Sequence, residues 1–125
     1  MGKDTILVID DDDTILSVVE AVLKKHDFVP VLASSGEDGL KIAQAAPPSG
    51  IILDRKMPGM DGEVVLQKLK GDSLTEDIPV IMLTSKNSIT DVSECLELGA
   101  CDYIVKPFDH DNLIIRLRNM LKRNA

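Results

Sequence analysis

Short apolar runs alternate with helical repeats along the whole chain, and this alternation is the strongest constraint on its fold. Thr5–Ile9 is continuous and rich in β-branched residues, which predicts a strand buried on both faces. After it, Ile15, Val18 and Val22 recur at helical spacing up to about Lys25. Because strand–helix–strand units cross over with one hand, the pattern predicts an α/β fold with a parallel sheet and helices on both faces.

Further strand–helix units follow the first with short connections. The predicted strands are Phe28–Leu32, Ile51–Leu53, Val80–Leu83 and Asp102–Val105. The predicted helices begin at the capping box Ser34-x-x-Glu37, behind Asp61, at about Ile89 and behind Asp109, and they end near Ala45, Gly71, Leu98 and Arg123.

The size and composition of the chain fit one domain over residues 1–125, with about residues 5–123 structured. Its 125 residues, 44% of them hydrophobic, suffice for one substantial core and argue against disorder. No stretch approaches the roughly 20 apolar residues of a membrane span, and the N-terminus lacks a signal-peptide pattern. We therefore expect a cytoplasmic location without membrane contact. The net charge of −7 argues against direct nucleic-acid binding.

Polar residues stand directly after most of the predicted strands. Asp10 and Asp11 follow the first strand, Asp54 the third, Thr84 the fourth and Lys106 the fifth. In an open parallel sheet, ligands bind beyond the carboxyl ends of the strands, because these ends share one edge. We therefore expect three carboxylates, a hydroxyl and an ammonium to converge there.

Such a cluster suits phosphoryl chemistry with a divalent cation. Three close carboxylates cannot all ionise without a counter-charge, and Mg²⁺ prefers carboxylate oxygens, waters and phosphate. Lys106 supplies a second positive group, and Asp54, directly after the central strand, is the candidate nucleophile. Each piece alone has an ordinary explanation: Asp10–Asp13 as a solvated helix start, and Pro58-Gly59 as a turn. The hypothesis rests on their order, in which these residues stand at the ends of separate predicted strands.

Four segments make the chain resemble the receiver domain of two-component response regulators. They are Ile6–Asp13 (ILVIDDDD), Pro48–Gly62 (PSGIILDRKMPGMDG), Ile78–Ser85 (IPVIMLTS) and Gly99–Phe108 (GACDYIVKPF). The resemblance implies a flavodoxin-like doubly wound sheet of order 2-1-3-4-5 with five helices. It also implies a histidine kinase or small molecule as phosphodonor and a downstream effector domain or protein. The chain would act on its own phosphorylation and dephosphorylation only, so it is not expected to be an enzyme. The resemblance holds equally for a stand-alone receiver and for part of a longer regulator or hybrid kinase.

The resemblance also implies roles for the residues around the metal. Asp54 matches the phosphoacceptor, Asp11 a direct Mg²⁺ ligand and Asp10 a ligand acting through water. The backbone carbonyl of Lys56 matches the group that completes the protein part of the metal shell. The side chains of Lys56 and Lys86 stand where family members vary and where phosphoryl lifetime is tuned.

A switch is implied by residues on the last strands. Thr84 and Lys106 match the hydroxyl and the lysine that bind the phosphoryl group, and Lys106-Pro107 matches a peptide bond that is cis in the family. Tyr103 matches a switch aromatic that moves into the space left by Thr84, changing the face of helix four, strand five and helix five. The alternative for Tyr103 is a half-buried amphipathic side chain without a switch role.

The last helix presents one apolar residue away from its core stripe. Leu113 and Leu117 lie on the stripe, whereas Ile115 falls nearly opposite. We expect Ile115 to be exposed on a partner-binding or dimer surface; an exposed apolar residue without function is the alternative. Asn112 stands where dimerising regulators often carry an acid, so the resemblance leaves dimerisation open.

Two other functions fit parts of the sequence. Asp10-x-Asp12-x-Thr14 after an apolar strand also matches the nucleophile motif of haloacid-dehalogenase-type phosphatases, which use Mg²⁺ as well. Their acidic last motif follows the threonine and lysine, whereas the similar segment here, Gly71-Asp72, precedes both. The second alternative is a receiver-like module that binds partners without being phosphorylated.

Overall fold

The chain alternates between strands and helices, as its apolar pattern predicts. The computed structural model describes residues 3–85 and 89–123, with the backbone alone for residues 89–92. The strands are β1 Thr5–Ile9, β2 Val29–Ala33, β3 Gly50–Asp54, β4 Val80–Thr84 and β5 Asp102–Val105. The helices are α1 Asp13–Lys25, α2 Gly36–Ala45, α3 Gly62–Lys70, α4 Ile89–Glu97 and α5 His110–Arg123. Neighbouring strands pair in parallel in the order β2-β1-β3-β4-β5, which confirms the expected doubly wound sheet.

Alternate residues of the central strands point to opposite faces of the sheet, so a core lies on each side. Ile6 and Val8 of β1 pack on the face covered by α1 and α5. Leu7 and Ile9 pack on the face covered by α2, α3 and α4. All four side chains are fully buried, which confirms that β1 is buried on both faces. The two layers hold the carboxyl ends of the strands at one edge.

The predicted helix boundaries agree with the structure within a residue or two, but the cap of α2 was assigned wrongly. Ser35, not Ser34, is the capping residue, and its Oγ accepts a hydrogen bond from the backbone N–H of Asp38 at 3.2 Å. The helix turns Gly39 toward the sheet. A Cβ at Gly39 would lie 2.4 Å from Cδ1 of Ile9. Local sequence alone could not distinguish two consecutive serines.

The connection between β3 and α3 is drawn tight by Gly62. The backbone N–H of Gly62 donates to the carbonyl oxygen of Arg55 at 2.8 Å. A Cβ at this position would lie 2.1 Å from the carbonyl oxygen of Asp54, which is backbone that cannot easily move. Asp61 occupies the N-cap position as predicted, although its side chain makes no capping hydrogen bond. The start of α3 is thus held directly against the end of β3.

Over residues 3–85 and 89–123, the helices lack the combination of length and apolar character that a membrane crossing requires.

Candidate functional site

The strand ends that were expected to form a site meet at one edge of the sheet. Asp54 is the last residue of β3 and Thr84 the last of β4. The register places Asp54 beside Leu83 and Thr84 beside Val105. Asp10, Asp54 and Thr84 are all at most 5% exposed. Polar groups this deeply buried require partners, and the carboxylates of Asp10 and Asp54 both find a partner within the site.

A lysine directly after β5 connects the ends of β1 and β3. Nζ of Lys106 lies 3.0 Å from Oδ2 of Asp10 and 2.9 Å from Oδ1 of Asp54. The lysine follows β5, and its backbone N–H donates to the carbonyl of Thr84 at 2.7 Å. The Lys106-Pro107 peptide bond is cis, in agreement with the expectation from the resemblance. One ammonium therefore bridges the ends of β1 and β3.

The same two carboxylates and Asp11 form a set that could hold a metal ion. Asp10, Asp11 and Asp54 each offer a carboxylate oxygen, and these oxygens lie within 4.8 Å of one another. Asp11 is exposed, whereas the other two are buried. Three hard oxygen donors with one side open to solvent fit Mg²⁺, which keeps several of its waters.

The acidic run after β1 divides its residues between the site and the helix. Oδ1 of Asp10 accepts from the backbone N–H of Asp12 at 2.9 Å. Asp12 in turn caps α1, because its side chain accepts from the backbone N–H groups of Thr14 and Ile15. The expectation of a solvated helix start therefore holds for Asp12 and Asp13, while Asp10 and Asp11 belong to the carboxylate cluster.

Burial and charge shift the protonation of the cluster. Burial raises the pKa of Asp54 from 3.8 to about 6, and the neighbouring Asp10 and Asp11 add to this rise. The hydrogen bond and charge of Lys106 oppose the rise without cancelling it. For Lys106, burial alone would lower the pKa, but its contacts with Asp54 and Asp10 outweigh burial and raise it. Lys106 is thus firmly cationic, and one ammonium does not fully neutralise the carboxylates.

The structure describes three of the four other candidate residues. Lys56 is exposed in the loop after β3, and Tyr103 of β5 is half-buried against the core beneath α2, α3 and α4. Ile115 of α5 is 57% exposed, while Leu113 and Leu117 of the same helix are fully buried, as expected from their spacing. Lys86 lies outside the described residues.

One buried residue next to the site was not anticipated from the sequence. Arg55, directly after Asp54, is only 5% exposed and pairs with Glu63 of α3 and Glu94 of α4. These partners lie 8 and 39 residues away along the chain. Such spacing leaves no local pattern. The available signal was a single arginine placed between a buried strand and a Pro-Gly turn.

Comparison with known proteins agrees with this architecture. The family model described as the response regulator receiver domain matches residues 6–118, and the chain belongs to this family. Membership leaves the phosphatase alternative without support. As a receiver domain, the chain is not an enzyme in the usual sense.

Similar proteins include transcriptional and chemotaxis regulators. The chain is 40% identical over 119 residues to the transcriptional regulatory protein AfsQ1 of Streptomyces coelicolor, covering 95% of this chain and 52% of that protein. It is 39% identical over 118 residues to the DNA-binding regulator RpaA of Synechocystis, covering 94% and 49%. The chemotaxis protein CheY4 of Vibrio cholerae superposes with a TM-score of 0.91 at 28% identity, covering 95% of this chain and 99% of that one. The chain spans about half the length of the curated relatives it matches.

Replacing Asp54 with Asn should stabilise the fold at neutral pH and not at acid pH. Because the folded-state pKa of about 6 exceeds the ordinary value of 3.8, ionising Asp54 opposes folding. This cost is absent below about pH 4, grows between pH 4 and 6 and is complete above. We expect Asp54→Asn to raise the free energy of unfolding by about 1–3 kcal/mol at pH 8 without Mg²⁺, as measured by urea denaturation.

Asp61→Asn is the matched control, since Asp61 is exposed and its side chain makes no capping bond. It should show no comparable gain at pH 8. An Asp54→Asn gain of equal size at pH 4 and pH 8 would mean that the charge of Asp54 is not its origin.

Proposed function

We propose that Asp54 accepts a phosphoryl group from a histidine kinase or a small phosphodonor, with Mg²⁺ bound beside it. The observation that carries this proposal is the contact of one partly buried lysine, Lys106, with both Asp10 and Asp54 next to the exposed carboxylate Asp11. The arrangement concentrates negative charge at a sheet edge and compensates it only in part. A divalent cation and a phosphoryl group complete such a site in the way that phosphoryl transfer requires.

The carboxylates differ in how they would hold the metal. Oδ1 of Asp10 accepts from the N–H of Asp12 and Oδ2 from Lys106, so both of its oxygens are already engaged. This favours Asp11 and Asp54 as direct ligands, with the backbone carbonyl of Lys56, and Asp10 acting through water. When bound, Mg²⁺ would supply positive charge against the oxygens of the incoming phosphoryl group.

Transfer requires one bond to form and one to break. A carboxylate oxygen of Asp54 attacks phosphorus, and the bond from phosphorus to the donor breaks with its electron pair leaving on the donor. Lys106, already within hydrogen-bond distance of Asp54, and Thr84 at the end of β4 then bind the phosphoryl oxygens. Attack of water on phosphorus then releases inorganic phosphate and restores the Asp54 carboxylate.

The output would be a change in the face formed by α4, β5 and α5. Phosphorylation adds charge and acceptor oxygens at Asp54. The phosphoryl group can switch the domain only if it interacts more favourably with one arrangement of the domain than with the other. Thr84 adjoins Val105 of β5 in the sheet, and Tyr103 lies two residues earlier on that strand. This proximity supports Thr84 and Tyr103 as the switch pair. The proposal includes a cytoplasmic location, a histidine kinase as donor and an effector domain or protein as recipient.

Acetyl phosphate should label the wild-type chain in a Mg²⁺-dependent way at Asp54. We expect a mass increase of one phosphoryl group by intact-protein mass spectrometry, lost in Asp54→Ala and greatly reduced in Asp11→Asn. Asp61→Ala, an exposed acid in the same loop, should leave labelling intact. An unlabelled wild-type chain that still binds its partner would instead support a module that works without phosphorylation.

We expect Lys56 and Lys86 to lengthen the life of the phosphoryl group. Lys56 is exposed in the loop after Asp54, and a side chain lying over the phosphoryl group would hinder the attacking water. Replacing Lys56 and Lys86 with Ser should therefore speed loss of the label severalfold, measured after removal of the donor. Lys25→Ser on α1 is the control and should leave the half-life as it is; an unchanged half-life in the double variant would show that the lysines point elsewhere.

Ile115 should contribute to phosphorylation-dependent association. Ile115→Glu introduces a charge at an exposed apolar site, so we expect weaker association of the beryllofluoride-activated chain with normal labelling of Asp54. Sedimentation velocity can measure this for the chain alone and with its purified effector. Val29→Glu is the control, because Val29 is also an exposed apolar residue, at 42%, but lies on the edge strand β2. Equal association of Ile115→Glu and wild type would remove Ile115 from the interface.

A further inference from the structure

Arg55 connects the phosphoacceptor strand with three other elements. Its backbone N–H donates to the carbonyl of Leu83 in β4 at 2.9 Å, and its carbonyl accepts from the N–H of Gly62 at the start of α3 at 2.8 Å. Its side chain, 6% exposed, donates through Nε to Glu63 of α3 and lies with Nη2 3.4 Å from Oε2 of Glu94 on α4. A single residue directly after Asp54 thus contacts β4, α3 and α4.

The burial of an arginine makes these carboxylates necessary. A guanidinium stays protonated at any ordinary pH, so it cannot relieve the cost of burial by losing its charge. It can be buried here because anionic groups meet it from α3 and α4. The planar, branched guanidinium can hold two carboxylates at once in fixed directions, which the single ammonium of a lysine does less well.

The ion pairs of Arg55 with Glu63 and with Glu94 differ in strength, and this difference assigns them different roles. The bond to Glu63 is short, and the Glu63 side chain is 32% exposed. The contact with Glu94 is longer, at 3.4 Å, and the Glu94 side chain is 52% exposed. Water can therefore replace Arg55 around Glu94 at little cost, whereas the pair with Glu63 is harder to open. The Glu63 pair serves as the fixed anchor and the Glu94 pair as the releasable one.

We propose that Arg55 is a positioning residue that couples the phosphoacceptor loop to α4, and that its pair with Glu94 holds α4 in the unphosphorylated arrangement. This inference rests on the proposed function, in which α4 belongs to the face that changes. Arg55 lies between Asp54 and Lys56, the residues assigned to the phosphoryl group and the metal. The residue that fixes the geometry of the site through its backbone therefore also restrains α4 through its side chain.

A restraint that stabilises only the unphosphorylated arrangement weakens the binding of a phosphoryl mimic, because the mimic binds the other arrangement. Removing the restraint should tighten the binding of the mimic by the factor by which the restraint had shifted the equilibrium between the two arrangements. For a half-exposed ion pair we expect a change of about two- to fivefold. A role limited to stability would lower the free energy of unfolding and leave the affinity for the mimic unchanged.

The test is Glu94→Gln, which removes one charge, keeps the shape of the side chain and leaves Glu63 paired with Arg55. The dissociation constant of beryllofluoride in saturating Mg²⁺ is measured by titration of amide NMR signals, and it should fall about two- to fivefold relative to wild type. Glu97→Gln is the matched control, because Glu97 has the same charge, lies on the same helix and lines the same cleft as Glu63 and Glu94. It should leave the constant unchanged.

A double-mutant cycle shows whether the effect passes through Arg55. In an Arg55→Met background, Glu94→Gln should produce no further change in affinity. An unchanged or weaker affinity in Glu94→Gln, or an equal gain in Glu97→Gln, would overturn the proposal. If the wild-type chain bound no beryllofluoride at all, the proposed function would fail and this inference with it. If the wild-type chain bound beryllofluoride and Glu94→Gln bound it equally well, the proposed role of Arg55 would be wrong, whereas the proposed function would stand.

Discussion

The contact of Lys106 with Asp10 and Asp54 is the interaction on which the site depends. Two buried carboxylates at the ends of neighbouring strands would repel each other, and the ammonium between them makes their burial tolerable. Burial nevertheless raises the pKa of Asp54 to about 6, and the charges of Asp10 and Asp11 add to this rise. Three carboxylates beside one ammonium leave net negative charge at this edge of the sheet, which is the physical basis of the proposed Mg²⁺ binding.

A buried cation, Arg55, extends this arrangement away from the site. Arg55 lies on the side of the sheet covered by α3 and α4, and its ion pairs reach both helices. Lys106 thus joins strand ends, whereas Arg55 joins the β3 end to helices. Gly62 keeps the Lys106 contacts and the Arg55 contacts close to each other. Because Gly62 has no side chain, α3 can begin directly against the carbonyl of Asp54. The residue after Asp54 is therefore connected directly to α3 and to α4, and α4 belongs to the proposed output face.

The fold could be predicted closely because its signals are local. The continuous apolar runs of β1 and β4 and the spacing of Leu113 and Leu117 specify buried strands and a helix without reference to other elements. Where two local solutions were equivalent, as for Ser34 and Ser35, only the structure shows that Ser35 caps the helix, through its hydrogen bond with the N–H of Asp38. The site residues could be named because parallel strands end at one edge, so position in the sequence becomes proximity in space.

The sequence by itself determined the order of elements, the carboxylates, hydroxyl and lysine at the strand ends, and the exposed position of Ile115. Each of these follows from periodicity or from the topology that periodicity implies. Only the tertiary structure decided that one lysine contacts both Asp10 and Asp54, and that Asp10 has both oxygens engaged. It alone revealed the pairing of Arg55 with Glu63 and Glu94. Such contacts join residues far apart in the chain, and their distances depend on how helices pack on the sheet, which no local pattern records.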